Sequence, residues 1–370
     1  MGEKIKVGLL YGGKSGEHEV SLQTALAVMK AFDYTKYEIK PFYITKQGEW
    51  RSGAPLLKAP EEVAQLRFGD AGTEDNALVP LFTGLTEKAG SDRTAASGVD
   101  VMFPLLHGTF GEDGTVQGLL EMANLPYVGA GVLASAVGMD KIMMKKVFAE
   151  EGIPQCAYRY FNRTQWQKDP HFFVMEVEVS LGYPCFIKPA NLGSSVGISK
   201  AKNREELLQA IAYAFRFDRK VIVEEFVDAR EIEVSVLGND EPRASVPGEV
   251  VSSGDFYDYN AKYIDGKSVM QIPAQLPEET AEAVRDMAVR AFLAIDGSGL
   301  SRVDFFMRKD DGQLLINEVN TMPGFTPFSM YPLMWKETGL SYQELLDKLI
   351  QLALERHAEK QQIDYSGGAE

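Results

Sequence analysis

The sequence predicts an α/β fold, and three observations carry the prediction. The run from Lys4 to Tyr11, rich in Ile, Val and Leu, passes through a glycine-rich loop into the helical pattern VSLQTALAVMKAF. The run VDVMFPLLHG is followed by the loop GTFGEDG, the helical pattern TVQGLLEMANL and the short strand PYVGA. Such strand-loop-helix alternation reads as a parallel α/β unit over roughly the first 130 residues.

The same periodicities organise the rest of the chain. ASAVGMDKIMMKKVFAEEG reads as one helix, followed by strand YPCFIKPA, loop NLGSSVG, strand ISKAK, helix REELLQAIAYAF and strand KVIVEEFV. Strands EIEVSVLG and RASVPGEVV come next, then a polar aromatic loop, FYDYNAKYIDG. A helix from Glu278 to Ile295 precedes two final strands, LSRVDFFMR and QLLINEVN. Residues 340–360 form an amphipathic helical pattern, and the end, YSGGAE, reads as a loose tail.

Composition narrows the function classes. The 370 residues suffice for two or three domains with a sizeable core. With 53 acidic against 38 basic side chains the formal charge is -15, a field that repels polyanions, so nucleic acid is not an expected partner. ATP stays possible, because a few placed cations reverse the potential locally. No apolar run reaches the ~18 residues of a membrane span. The opening MGEKIKVGLLYGG enters a strand pattern without a signal-peptide cleavage site, and Cys156 and Cys185 stand alone, without metal-ligand spacing. A reducing cytoplasm, with both thiols as small apolar core residues, is the expectation.

Gly8, Gly13, Lys14 and Ser15 spell G-x-x-x-x-G-K-[ST], the phosphate-cradling P-loop pattern. A working P-loop starts at the end of a strand, whereas Leu9, Leu10 and Tyr11 continue the run begun at Ile5, placing Gly8 inside it. No apolar strand ending in an acidic partner appears either, since VDVMFPLL ends in His107. The match therefore reads as accidental. What remains is a glycine turn delivering Glu17, His18, Glu19 and Ser21 to a helix start, where helix capping is the plain alternative to a binding role.

Phosphate chemistry fits YPCFIKPANLGSSVG better. A strand ends in Lys188, and Gly193, Ser194, Ser195 and Gly197 form a small-residue loop whose backbone N–H groups can approach phosphate oxygens. A glycine hairpin with a surface lysine is the alternative. Near the end of the chain, a three-residue hairpin loop of Asp310, Asp311 and Gly312 sets Lys309 opposite Gln313, Asp304 opposite Glu318 and Arg302 opposite Asn320. Opposed carboxylates repel unless a cation lies between them, so this face reads as an oxygen-rich site for Mg2+ or Mn2+, with room for two ions bridged by a Glu, or as a solvated polar face. A one-residue shift of the loop would break the arrangement. Glu224, Glu225 and Glu231, at and beyond the end of VIVEEF, suit hydrogen bonds to a ribose or an exocyclic amine, or an exposed edge.

The stretches EHEVS, HGTFGEDGTVQG, MDK, IKPANLGSSVG, YDYNAKY, SRVDFF and NEVNTMPGFT occur in an order that resembles the D-alanine-D-alanine ligases of the ATP-grasp superfamily, over nearly the whole chain. The resemblance implies a three-domain ATP-grasp architecture, with ATP between the sheets of the central and C-terminal domains. Its expected divisions are 1–131, 132–226 and 227–362, with 363–370 as a tail. It further implies ATP-dependent joining of two D-alanine molecules through an acyl phosphate, for peptidoglycan precursor synthesis, by a cytoplasmic homodimer.

Residue roles follow from the same resemblance. Glu17 would hold the ammonium of the first D-alanine, in a triad with Ser194 and Tyr263. His107 would lie beside the substrate carboxyl group, Arg302 and the Gly324 N–H would stabilise an oxyanion, and Ser329 and Met330 would receive the second D-alanine. Lys141, Lys188, Ser195 and Lys262 would meet the ATP phosphates. Glu224 and Glu231 would lie near adenine and ribose, and Phe306 would pack on the base. Asp304, Glu318 and Asn320 would ligate Mg2+, which agrees with the hairpin reading. Tyr263 stands where depsipeptide-forming relatives carry Phe, which favours the dipeptide product over D-alanine-D-lactate. A D-alanine-D-serine ligase, a P-loop NTPase dependent on Lys14 and a non-enzymatic nucleotide-binding module are the competing readings.

Overall fold

A computed structural model describes residues 3–68, 98–251 and 269–365. Strand β1 (Ile5–Gly12) carries the first apolar run to the edge of the glycine loop, and helix α1 (His18–Ala31) follows. Strands β2 (Tyr37–Ile44), β3 (Trp50–Ser52) and β4 (Val101–Pro104) complete a sheet in the order β3-β2-β1-β4. β1 pairs in parallel with β2 and β4, so it lies inside the sheet with both edges paired. Val7, Leu9 and Tyr11 pack against Leu22, Ala25 and Met29 of α1. Leu10 faces the opposite way, toward Leu106, Val116 and Leu120. Two-sided burial explains why β1 reads as a continuous apolar run rather than an alternation. Each such leucine removed from water contributes about 1.5–3 kcal/mol.

Helix α2 (Thr115–Met122) covers that second face. The expected strand PYVGA shrinks to a single parallel bridge between Met102 and Tyr127. The helix expected through MDK is two helices, α3 (Val132–Met139) and α4 (Lys141–Glu150), broken at Asp140. Asp140 has extended backbone and caps α4, its carboxylate accepting from the N–H groups of Ile142 and Met143. Such a cap is worth about 1 kcal/mol. Lys220 and Asn191 also hold this carboxylate. The break therefore has a tertiary cause as well as a local one.

Strands β5 (Tyr158–Asn162), β6 (Cys185–Pro189), β7 (Ser199–Ala201) and β8 (Lys220–Glu225) form a second sheet in the order β5-β8-β6-β7, antiparallel throughout. Between β5 and β6 run α5 (Arg163–Lys168) and α6 (Pro170–Ser180), and α7 (Arg204–Ala214) precedes β8. One sheet face, Phe161, Ile187, Val221 and Val223, packs on Val174, Val177, Leu207 and Ile211 of α6 and α7.

The third sheet contains β9 (Ala229–Gly238), β10 (Arg243–Ala244), β11 (Gly248–Val251), β12 (Val269–Gln271), β13 (Gly299–Arg308) and β14 (Leu314–Asn320), in the order β12-β11-β9-β13-β14 with β10 beside β9. RASVPGEVV is thus two short strands rather than one. Pro247 lies in the gap between them, where it needs no ladder N–H. Ile232, Val234, Val303, Phe305 and Val319 pack against Val284, Ala288 and Phe292 of α8 (Glu278–Ala294), joined by Met144 and Phe148 of α4. After α9 (Met330–Glu337) the chain ends in α10 (Tyr342–Lys360), whose Leu345, Leu346 and Leu349 belong to the core of the first sheet. The chain's last helix therefore closes its first sheet. No helix among the described residues is long and apolar enough to cross a membrane.

The final hairpin differs from expectation in a way that preserves the site. Arg308 N–H donates to Gln313 O, so Lys309, Asp310, Asp311 and Gly312 form a four-residue loop and the expected Lys309–Gln313 pairing does not form. That extra residue alone would displace Asp304 from Glu318. A β-bulge restores the register: Phe305 pairs with Ile316, Asp304 with Glu318 and Arg302 with Asn320, leaving Asn317 as the extra residue.

Candidate functional site

The loop after β1 is held by its own side chains. His18 Nδ1 donates to Gly13 O (2.6 Å), and Ser21 Oγ accepts from Gly12 N–H (2.8 Å) while donating to Leu105 O (2.5 Å). Ser15 Oγ donates to the backbone carbonyl of His107 (2.6 Å), and the Lys14 ammonium lies over the Phe110 ring (5.1 Å). Neither residue therefore behaves as its P-loop counterpart would. Glu17 occupies the N-cap position of α1 but makes no side-chain capping bond. Its Oε1 instead lies so close to the Gly193 backbone that a Cβ there would stand 3.2 Å away.

Glu17 lines a cleft of about 450 Å3 whose walls also include His107, Lys141, Ser194, Arg302, Glu318, Asn320, Gly324, Ser329 and Met330. Ten of the expected site residues, from every part of the chain, thus converge there. His107 is buried, with Nδ1 donating to Met322 O (3.2 Å) and Nε2 accepting from Thr24 Oγ1 (3.1 Å). Burial lowers its pKa, outweighing the pull of Glu17, so the ring is neutral with the proton on Nδ1. Polar atoms of Glu17, His107 and Glu112 lie within 4.8 Å of one another. Both imidazole nitrogens are engaged, so this trio is a hydrogen-bonded wall rather than an ion cage. Burial and the neighbouring Glu17 carboxylate push the pKa of Glu112 well up, and its Oε1 accepts from Gly108 N–H (2.6 Å).

Arg302 and Glu233 line the opposite wall; the strand period sets Asp304 and Phe306 on the same face of β13 as Arg302, beside Glu233 and Glu231 of β9, but beyond the cleft lining. Arg302 grips both oxygens of Asp304 (2.7 Å each) and lies 3.0 Å from Glu233. Lys141 Nζ donates to Leu192 O (2.9 Å) and lies 3.6 Å from Glu318, so it ties the glycine loop of the second sheet to the carboxylate face of the third. Asn320 Oδ1 is buried with no hydrogen-bond partner among the described residues. A leftover hard oxygen next to two facing carboxylates fits a divalent cation. Ser329 precedes α9, with its hydroxyl 3.1 Å from Thr326 N–H and 2.9 Å from Thr326 Oγ1, and Met330 is buried against Val250 and Met334.

Other expected residues lie outside the walls of this cleft. Lys188 and Glu224 pair at 2.5 Å on the second sheet, and Glu231 and Phe306 are cross-strand neighbours on the third. Ser195 follows Ser194 in the glycine loop, and both adopt left-handed backbone (φ 59° and 53°) at a cost on the order of 1 kcal/mol each. Strain of that kind collects where backbone N–H groups must point at a ligand. Tyr263 and Lys262 lie outside the described residues.

Thr24, Glu112, Lys145 and Glu233 belong to this region and were not singled out from the sequence. Glu112 lies within HGTFGEDG, and Lys145 follows Lys141 by one helical turn, a spacing that marks a shared face. Thr24 and Glu233 carry no local signal. Cys156, expected in an apolar setting, instead has the Lys145 ammonium 3.4 Å from its sulfur.

Comparison with known proteins decides the family. Residues 6–130 match the model for the D-ala D-ala ligase N-terminus, and residues 147–351 match that for the C-terminus. The chain belongs to the D-alanine-D-alanine ligase family. A D-alanine--D-alanine ligase of Bacillus cytotoxicus is 57% identical over 365 residues, covering 98% of this chain and 99% of the relative. The solved D-alanine-D-alanine ligase of Coxiella burnetii matches with a TM-score of 0.77 at 33% identity, covering 98% of this chain and 97% of that one. The VanG D-Ala:D-Ser ligase of Enterococcus faecalis matches with a TM-score of 0.80 at 38% identity, covering 95% and 100%. Three sheets carrying the ATP-grasp architecture of this family are what the sequence led one to expect.

Proposed function

We propose that this chain joins two D-alanine molecules into D-alanyl-D-alanine, consuming ATP, as a step in peptidoglycan precursor synthesis. The observation that carries the reading is one cleft in which an anion (Glu17), a glycine-serine loop (Gly193, Ser194), a guanidinium (Arg302) and a carboxylate-bearing strand face (Glu318, Asn320) meet. A carboxylate oxygen of the first D-alanine attacks the γ-phosphorus of ATP, the bond to ADP breaks, and an acyl phosphate forms. The amine of the second D-alanine then attacks the acyl carbon; the tetrahedral intermediate expels phosphate, and the amine loses its proton.

Glu17 holds the first ammonium, and neutral His107 borders the carboxyl group without adding charge. Arg302 and the Gly324 N–H stabilise the oxyanion, an arrangement whose loss typically costs about 100-fold or more in rate. Ser329 and Met330 border the second substrate. Lys141, Lys188 and the Ser195 loop serve the ATP phosphates, Glu224 and Glu231 the adenine and ribose, and Phe306 the base, with Tyr263 in the triad with Glu17 and Ser194 and Lys262 at the γ-phosphate. Asp304, Glu318 and Asn320 would hold Mg2+, as one or two ions, which would screen the negative charge of the phosphate oxygens. The divisions 1–131, 132–226 and 227–362, a homodimer and a cytoplasmic setting complete the proposal.

Phosphate release tests it. With ATP and Mg2+, D-alanine should stimulate release strongly, D-serine and D-lactate weakly, and L-alanine not at all. Release indifferent to D-alanine would remove the reading. A preference for D-serine would move it toward the activity named for the VanG relative.

A further inference from the structure

Lys145 is a lysine only 1% exposed, on the buried side of α4. Its Nζ lies 3.2 Å from Glu224 Oε1, 3.4 Å from Cys156 Sγ and 5.5 Å from the centre of the Tyr158 ring. The other oxygen of Glu224 is taken by Lys188 at 2.5 Å. Glu224 thus has two cations, one on each oxygen, where one would balance its charge. Burial disfavours charge on all three groups, and their mutual attraction overrides it: both lysine pKa values rise, and the Glu224 carboxyl is held down at about 2.

We propose that Lys145 is a positioning residue that keeps Glu224 an anion when Lys188 turns from it to the ATP phosphates. This rests on the phosphate role assigned to Lys188 and the adenine role assigned to Glu224. Without Lys145, the departure of Lys188 leaves a buried carboxylate unpaired, and breaking a buried pair in that way is strongly unfavourable. Glu224 would then take up a proton and lose its strength as an acceptor for the adenine amine. The groups that face it are Lys145 from α4, Lys188 from β6, Cys156 just before β5 and Tyr158 at the start of β5. Burial keeps the thiol and the phenol protonated, so neither replaces a lost cation. Glu225 faces elsewhere, toward Arg308 and the Ala157 N–H.

The test is ATP binding followed by calorimetry with Mg2+ and no D-alanine, so that it does not depend on turnover. Lys145→Met should weaken ATP binding about tenfold or more. The loss should grow as pH rises, because bound Glu224 must now hold a proton, whereas wild-type affinity should stay level between about pH 6 and 9. In steady-state kinetics the KM for ATP should rise while that for D-alanine stays constant. In a Glu224→Gln background the same Lys145 substitution should have little further effect, since no charge remains to balance. Equal ATP affinity in wild type and Lys145→Met, a pH-independent loss, or an equal loss in the Glu224→Gln background would overturn the proposal alone. A wild-type chain that binds no ATP would remove the functional reading with it. Should Lys145→Met fail to fold, Lys145→Gln, which is one atom shorter but keeps a neutral donor, carries the same measurements.

Discussion

Two glycine-serine loops in this chain, one with a lysine inside it and one with lysines beside it, do different things. The Gly12–Gly16 loop spells a phosphate-binding motif, yet Lys14 lies over Phe110 and Ser15 is tied to the His107 carbonyl. The Gly193–Gly197 loop spells no such motif, yet it carries two left-handed serines and is bound through Leu192 O to Lys141, which reaches Glu318. Letters and spacing are the same kind of evidence in both. What separates them is what the lysine at each loop faces: an aromatic ring for Lys14, the Leu192 carbonyl and the Glu318 carboxylate for Lys141.

The largest effect that could break this contrast is at Lys188. Lys188→Met should lower kcat/KM for ATP about 100-fold or more, read from phosphate release. Retention of most activity would dissolve the distinction between the loops. Glu17→Gln should raise the KM for the first D-alanine roughly tenfold or more while the KM for ATP stays level, since the first loop serves an ammonium rather than a phosphate. A change confined to ATP would reverse that assignment.

Smaller effects sharpen the comparison. Ser21→Ala leaves the Gly12 N–H of the first loop and the Leu105 carbonyl just past the end of β4 without their buried partner, and should cost about 1–3 kcal/mol in urea unfolding. On the side of the second loop, the Glu224 carboxyl sits at about 2 against an ordinary 4.5. A depressed carboxyl contributes stability above its unfolded pKa and loses it as pH falls through the folded one, so the contribution of Glu224 should fade between about pH 4.5 and 2. Glu224→Gln should therefore flatten the acid side of the stability profile, measured as urea midpoints at pH 6 and pH 3. The smallest effect is expected at Lys14: Lys14→Ala should leave kcat/KM for ATP within about threefold, since only an exposed cation-π contact is lost.

How much of this was legible differs from element to element. β1, α1 and the alternating face of β13 are legible because their signals are local: a continuous apolar run, a 3.6-residue period and a two-residue period, respectively. The sequence predicts the facing of Asp304 and Glu318, which forms, through a three-residue turn, which does not. The loop is one residue longer than expected, and the bulge at Asn317 absorbs the difference, as the paired burial of Leu315 and Ile316 on β14 records. A bulge has no spelling of its own, so only the pairing exposes it. Asp140 has helical neighbours on both sides and so no local mark of a break; the cap itself is local, while Lys220 and Asn191, brought from the second sheet, add to its hold on the carboxylate.

The sequence by itself determined the opening strand-loop-helix unit, the acidic face of the last hairpin and the family to which the chain belongs. Each of these rests on residues close together in the chain or on several motifs in a fixed order. Tertiary structure alone decided that α10 closes the first sheet, that His107 is neutral with Thr24 and Met322 on its two nitrogens, and that Glu224 has two lysines. Those outcomes depend on burial and on partners far apart in the chain. A desolvated charge takes its meaning from what surrounds it, and periodicity along one strand or helix does not carry that information.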